Sequence, residues 1–217
     1  MKYIILFLSL FLFSCSNIEN NNISNEAKKE ETIQKTILSL WDSITVGYWV
    51  WENENYPYKL QELLQKNWYN YKIVNGWVSW NTSDDLLSRV DLYLDLNPDI
   101  LILVIWWNDW LRWLSTQNLK QNILDIISKF DKNKTKIILS WMDIPQNLWE
   151  KYRNDFKQVY KDISSENKDI YFQDFFLQDV AGIESLNNSD KIHPNSKWYD
   201  IVVKNLYDFM IKNNLLK

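Results

Sequence analysis

Residues 100–105 read Ile-Leu-Ile-Leu-Val-Ile. Successive side chains of a strand point to opposite faces, so a strand with no polar member needs apolar cover on both faces. A second run of this kind spans residues 135–140, centred on Ile137-Ile138-Leu139. Such strands belong to parallel sheets wrapped by helices. Further strands are predicted at 36–40, 72–75 and 170–172. Helical spacing lies between them. Tyr56, Leu60, Leu63 and Leu64 make one apolar face, with Pro57 suited to a first turn. Leu86, Leu87, Val90 and Leu94 make another, behind Thr82-Ser83-Asp84 as capping candidates. Ile123, Ile126, Ile127 and Phe130 make a third, and residues 150–164 a fourth. The last helix is predicted from Ser196, with Tyr199, Val202, Val203, Leu206 and Met210 inward. This alternation predicts one α/β domain of three α/β/α layers around a five-stranded parallel sheet.

In open sheets of this kind, functional groups gather beyond the C-terminal ends of the strands. Asp42-Ser43 follows the first strand. The segment from Asn75 to Thr82 follows the second, and Trp106-Trp107-Asn108-Asp109 the third. Asp190-Lys191-Ile192-His193-Pro194 precedes the last helix.

Turns at strand ends require glycine, yet the chain has only 3 Gly, against 13 Trp, in 217 residues. Average usage would supply about 15 glycines at this length, and glycine is the residue that adopts positive φ without strain. Several Trp therefore occupy positions where a turn calls for glycine. Net charge is −4 with a pI near 5.1, and the charges are interspersed. No basic stripe suggests a nucleic acid partner.

The N-terminus reads as a targeting segment. Lys2 is followed by a short apolar run from Ile4 to Phe13, too short to span a bilayer and matched to a signal peptide. Leu12-Phe13-Ser14-Cys15 resembles a bacterial lipobox. Residues 1–15 are then a lipoprotein signal peptide and Cys15 the lipidated residue. The other reading is a plain secretory signal with an incidental cysteine. Cys15 is the sole cysteine of the chain, so no intramolecular disulfide forms. Residues 16–32, rich in Asn, Glu and Lys, read as a flexible tether, and 33–217 as the folded domain. The expected location is the cell envelope, with the membrane reached through the anchor.

Taken in order, the strand-end clusters resemble the blocks of the SGNH, or GDSL-like, hydrolases. The resemblance covers roughly residues 36–212. The family's Gly-Asp-Ser matches Trp41-Asp42-Ser43 except at the first residue. Its second block ends in a glycine at position 80. Its Gly-x-Asn-Asp matches Trp106 to Asp109, and its Asp-x-x-His matches Asp190 to His193. Flanking residues look like the acyl thioesterase, lysophospholipase and arylesterase branch. The resemblance implies a flavodoxin-like fold. The departures share one form. Trp41, Trp49, Trp77, Trp80, Trp106, Trp107, Trp110, Trp113, Trp141, Trp149 and Trp198 stand where relatives commonly carry glycine. Only Trp51 and Trp68 lack an obvious glycine counterpart. Independent mutation would not choose one residue type so often. A gene that uses UGA for glycine, translated with UGA as tryptophan, would; a Trp-rich, inactivated relative is the alternative.

A serine hydroxyl needs a base to act as nucleophile. Ser43 fills the nucleophile's position. His193 is the sole histidine, and Asp190 sits where it can orient the imidazole. Alone, His193 would read as a surface histidine in a His-Pro turn. Asp42 reads as a turn-stabilising residue. The resemblance further implies three oxyanion donors: the N–H of Ser43, the N–H of residue 80 (Trp80) and the side-chain amide of Asn108, with Asp109 holding the loop. Alone, Asn108-Asp109 would read as a plain turn. No cofactor and no metal site is expected. Leu111, Leu114, Ile144 and Leu148 could line an acyl groove, or serve as core or lid packing. The expected activity is hydrolysis of carboxylic esters or thioesters on a small-molecule acyl or lipid substrate. A carbohydrate O-acetylesterase is one alternative, and a lipid-anchored binding module without catalysis is another. Oligomeric state is left open.

Overall fold

The computed structural model describes residues 34–40, 47, 50–76, 78, 80–105, 107–141, 150–174, 176–180, 183–188 and 194–217. Cys15, Asp42, Ser43, Asp190 and His193 lie outside the described residues, as do Trp41, Trp49, Trp77, Trp106, Trp149, Ile144 and Leu148. Five strands, β1 (Lys35–Leu40), β2 (Tyr71–Asn75), β3 (Ile100–Val104), β4 (Lys136–Ser140) and β5 (Tyr171–Gln173), form one sheet in the order β2-β1-β3-β4-β5. Every pairing is parallel. Each predicted strand is present, displaced by at most one residue at an end.

All five residues of β3 are fully buried, as the Ile-Leu run requires. Helices cover both sides of the sheet. They are α1 (Tyr56–Lys66), α2 (Ser83–Arg89), α3 (Trp107–Leu111), α4 (Thr116–Ser128), α5 (Glu150–Glu166) and α6 (Ser196–Lys212). Helix α1 packs on α6, while α4 packs on both α2 and α5. Asn55 caps α1 by accepting the Tyr58 N–H at 3.0 Å, with Pro57 in the first turn. Thr82 caps α2 in a reciprocal pair with Asp85, which satisfies donors that a helix start leaves open. Trp110, Trp141 and Trp198 are buried within the core.

The apolar spacing over 86–94 predicted one helix, and the structure divides it. At Arg89 the backbone moves to φ −116° and ψ −4°, and residues Val90–Leu96 continue as a 3-10 helix. The tighter winding keeps Val90 inside the core and turns Leu92 to solvent. It also sets the Tyr93 ring beneath Gly76, within 3.1 Å of where a Cβ on that glycine would lie. The short α3 was not foreseen.

Backbone conformation sorts the tryptophans. Among the described residues, the positive-φ positions are Gly47, Asn97, Asp179, Asn214 and three Trp: Trp68 (φ 65°), Trp80 (φ 65°) and Trp113 (φ 53°). Gly, Asn and Asp enter this region readily, whereas a bulky residue there is an outlier. Trp68 and Trp113 each follow the C-cap of a helix. The Trp68 N–H donates to the Gln65 carbonyl and the Tyr69 N–H to the Leu64 carbonyl, both at 3.0 Å. Around Trp113, the pairs Trp113–Trp110 and Leu114–Asp109 repeat this at 3.0 Å. This double closure is the Schellman motif, whose left-handed residue is usually glycine. The same closure at the end of α6 uses Asn214. Trp68, which the sequence pairs with no family glycine, thus has a glycine's backbone, while Trp51 is extended at φ −69°.

Releasing left-handed strain of about 1–2 kcal/mol, partly offset by about 0.5–1 kcal/mol of extra chain freedom, should make Trp68→Gly stabilising. The expected Tm rise is about 2–4 °C. Trp51→Gly should give no rise. Thermal melts of the two variants check this, and equal shifts would contradict it.

Candidate active site at the ends of the parallel strands

Register sets which segments meet. Ser39 of β1 pairs with Asn75 of β2, and Leu40 pairs with Leu103 of β3. The three strands therefore end nearly level, and the chain leaves all of them on one edge of the sheet. The segment beyond β2 reaches Trp80 and that beyond β3 reaches Asn108 and Asp109. Ser43 lies three residues past the end of β1 in sequence.

The loop between Gly76 and Thr82 is held from several sides. The Asn81 N–H donates to the Val78 carbonyl at 3.3 Å, closing a four-residue turn whose third residue is Trp80. A turn of this shape needs positive φ at that position in its type II or type I′ form. The N–H of Trp80 belongs to the turn's central peptide and donates to no acceptor among the described residues. Trp80 is 65% exposed, so the demand for glycine here comes from the backbone.

Asn108 is buried, and its Nδ2 donates to the Asn81 carbonyl at 2.9 Å. A carboxamide carries two N–H donors, so this contact orients the group and leaves one donor. Arg112 Nη2 donates to the Trp80 carbonyl at 3.0 Å. Asn108 and residue 80, assigned to one oxyanion pocket by resemblance, are thus joined through Asn81, the residue that follows position 80.

Asp109 points away from this loop turn toward the start of α2. Its Oδ2 accepts the Ser83 N–H at 2.8 Å, and its Oδ1 accepts the Ser83 hydroxyl at 2.5 Å. Asn122 on α4 completes the cluster, donating to Ser83 Oγ at 2.9 Å and to Asp84 Oδ1 at 2.8 Å. Burial pushes the Asp109 carboxyl above its ordinary range, and the two Ser83 hydrogen bonds oppose that rise. The holding role expected of Asp109 has this form: it ties the segment after β3 to the helix that follows β2. Ser83, Asn122, Arg89 and Arg112 were not singled out in the sequence. Ser83 appeared there only as a capping candidate, and the cap itself is Thr82.

Leu111 is exposed and Leu114 half-buried, so Leu111 is not core packing. The Trp113 ring lies against Tyr152, centroids 5.2 Å apart, and Tyr152 donates its hydroxyl to the Leu114 carbonyl at 2.7 Å. Among the described residues, no group of His, Cys, Asp or Glu is arranged to share a metal ion.

Asp109 also makes a pH prediction. Its raised folded-state pKa means the folded chain holds the proton more tightly than the unfolded chain. Its contribution to stability is therefore full below the ordinary Asp range and declines as pH rises through the raised value. Asp109→Asn removes this titration and one of the two acceptors for Ser83. The variant should melt lower throughout, and the gap from the parent should narrow as pH rises across that window. Melts taken from acid to neutral pH check this, and a gap that widens with pH would contradict it.

The GDSL-like lipase/acylhydrolase family model matches residues 42–201, which spans all four strand-end clusters. The esterase TesA of Pseudomonas aeruginosa is 27% identical over 166 residues, covering 76% of this chain and 82% of its own. An arylesterase of Vibrio mimicus is 25% identical over 188 residues, covering 86% and 88% respectively. The solved structure of AlinE4, an SGNH-hydrolase family esterase, superposes with a TM-score of 0.67 at 31% identity, over 83% of this chain and 96% of its own. With this match and the parallel sheet whose strand ends carry its blocks, the chain belongs to the GDSL-like lipase/acylhydrolase family of ester hydrolases.

Proposed function

We propose that the chain is a serine esterase working through an acyl-enzyme, with Ser43, His193 and Asp190 as its triad. Ser43 Oγ attacks the ester carbonyl carbon while His193 takes the hydroxyl proton. The tetrahedral oxyanion is met by the N–H groups of Ser43 and residue 80 and by Asn108 Nδ2. Collapse expels the alcohol, which leaves with the proton from His193. Water then repeats the attack on the acyl-enzyme, again giving its proton to His193, and Ser43 is restored as the acid departs. Asp190 accepts from the other imidazole nitrogen and stabilises the imidazolium. Asp42 stabilises the nucleophile turn.

One observation carries this reading: the buried Asn108 amide is fixed against the carbonyl of Asn81, the residue next to position 80, whose own N–H donates to no acceptor among the described residues. Donors fixed before reaction are what make oxyanion stabilisation large. The substrate proposed is an acyl ester or thioester, including lysophospholipid and aryl esters. The exposed Leu111 supplies apolar surface beside the site. Hydrolysis of p-nitrophenyl esters of rising acyl length tests this. Ser43→Ala and His193→Ala should each abolish nearly all turnover, and Asn108→Ala should lower kcat by about 10²–10³. Optimal turnover on medium chains supports the acyl reading, whereas activity confined to acetyl would favour a carbohydrate O-acetylesterase. Activity surviving Ser43→Ala would overturn the mechanism.

The natural chain, on the same proposal, is an exported lipoprotein anchored through Cys15 and carries glycine where UGA codons are written as Trp. The left-handed backbones of Trp68, Trp80 and Trp113 support that exchange. Peptide mass spectrometry of the protein from its own membranes tests both claims. It should show an acylated N-terminal Cys15 and peptides lighter by the difference between an indolylmethyl group and hydrogen at each exchanged site. An unmodified N-terminus, or tryptophan at position 80, would refute the corresponding claim.

A further inference from the structure

The chain is rich in lysine, with 24 Lys and Arg together, and only Arg89, Arg112 and Arg153 are arginine. Two of these three reach the loop that carries residue 80. Arg112 holds the carbonyl of residue 80 from the α3 side. Arg89 lies at the end of α2 and reaches back across the loop. Its Nε donates to Asn81 Oδ1 at 2.6 Å, and its Nη1 donates to the Gly76 carbonyl and the Tyr93 hydroxyl, both at 2.8 Å. Gly76 begins the loop and Asn81 nearly ends it. One guanidinium therefore clasps both ends, and the Tyr93 hydroxyl accepts from the same Nη1 that holds Gly76. A guanidinium presents separate donors in a rigid planar fork, and an ammonium cannot reproduce that geometry.

We propose that Arg89 is a positioning residue for the oxyanion donor at residue 80, acting through its clasp on Gly76 and Asn81. This rests on the serine esterase reading above and adds how its second backbone donor is held. The turn that presents the residue 80 N–H is closed by the Asn81 backbone. Fixing Asn81 relative to Gly76 limits rotation of that turn without touching substrate. The donor is then in place before the tetrahedral intermediate forms. A donor displaced by about 1 Å costs on the order of 10²-fold in rate. Because the charge on this donor's partner develops only in the transition state, the loss falls on kcat and leaves KM nearly unchanged.

The experiment uses the full domain in its active form, first confirmed on a p-nitrophenyl ester. Absence of esterase activity in that parent overturns the esterase reading and the inference with it. In an active parent, Arg89→Lys retains the charge and loses the fork, and Asn81→Ala loses only the clasped acceptor while keeping the backbone turn. Each should lower kcat about 10- to 100-fold with KM within a few-fold. Each should also weaken binding of an alkyl boronic acid, which forms a tetrahedral adduct on the active serine, by a similar factor. Asn81→Asp keeps an acceptor for Nε and should recover most of the kcat that Asn81→Ala loses. The double variant Arg89→Lys/Asn81→Ala should be no slower than the worse single variant, as coupled partners require. Should Arg89→Lys fail to fold, Asn81→Ala and Asn81→Asp still decide the question. Unchanged kcat and boronate affinity in Asn81→Ala, or a lowered Tm with parental kcat, would overturn the positioning role.

Discussion

Burial of the central strands on both faces is the constraint from which the rest follows. Strands β1, β3 and β4 have helices above and below, and β3 offers no surface to solvent. Polar chemistry cannot emerge from the faces of such a sheet, because an unpaired polar group there loses its hydration without return. It can emerge only where the strands stop. Parallel pairing makes neighbouring strands stop together, so segments far apart in sequence are delivered to one edge.

That edge is crowded, and crowding selects for small residues and unusual backbones. Gly76 has the Leu40 side chain within 2.6 Å of where its Cβ would stand. Gly47, in the segment after β1, has φ 74°. Position 80 has the same left-handed backbone and carries the largest side chain there is. The helix ends at Trp68 and Trp113 repeat the conflict, and at Trp68, at the end of α1, it is set by the helix closure alone. A local choice at odds with the global fold in this way is rare in natural sequences. Its recurrence at one residue type is the observation on which the proposed glycine recoding rests.

The polar groups at the edge are arranged as a scaffold around the N–H of residue 80 and the second Asn108 donor, which meet no acceptor among the described residues. Asp109 is committed to Ser83, and Ser83 to Asn122. Asn108 spends one donor on Asn81, and Arg89 and Arg112 secure the loop's carbonyls and its Asn81 side chain. Each bond is worth little net stability by itself. Together they restrict the loop that carries residue 80, and in the proposed mechanism a donor fixed before reaction is where electrostatic catalysis has its advantage.

The sequence by itself determined the sheet and most of its helices. Periodicity, capping and strand length are short-range properties, and the Ile-Leu run at 100–105, the Thr82 cap and the Ser196 helix start express them directly. It also marked position 80, Asn108 and Asp109 as site residues, because their blocks keep order and spacing. Their partners were decided only by the tertiary structure. Ser83 meets Asp109 across 26 residues, and Arg89 reaches Gly76 across 13 residues and the end of a helix. No periodicity encodes such a meeting, since it depends on strand register and on where α2 gives way to a 3-10 helix. The left-handed backbone of Trp68 was hidden for a related reason. It is set by the hydrogen bonds that close α1, and the one-letter code at that position gives no sign of them.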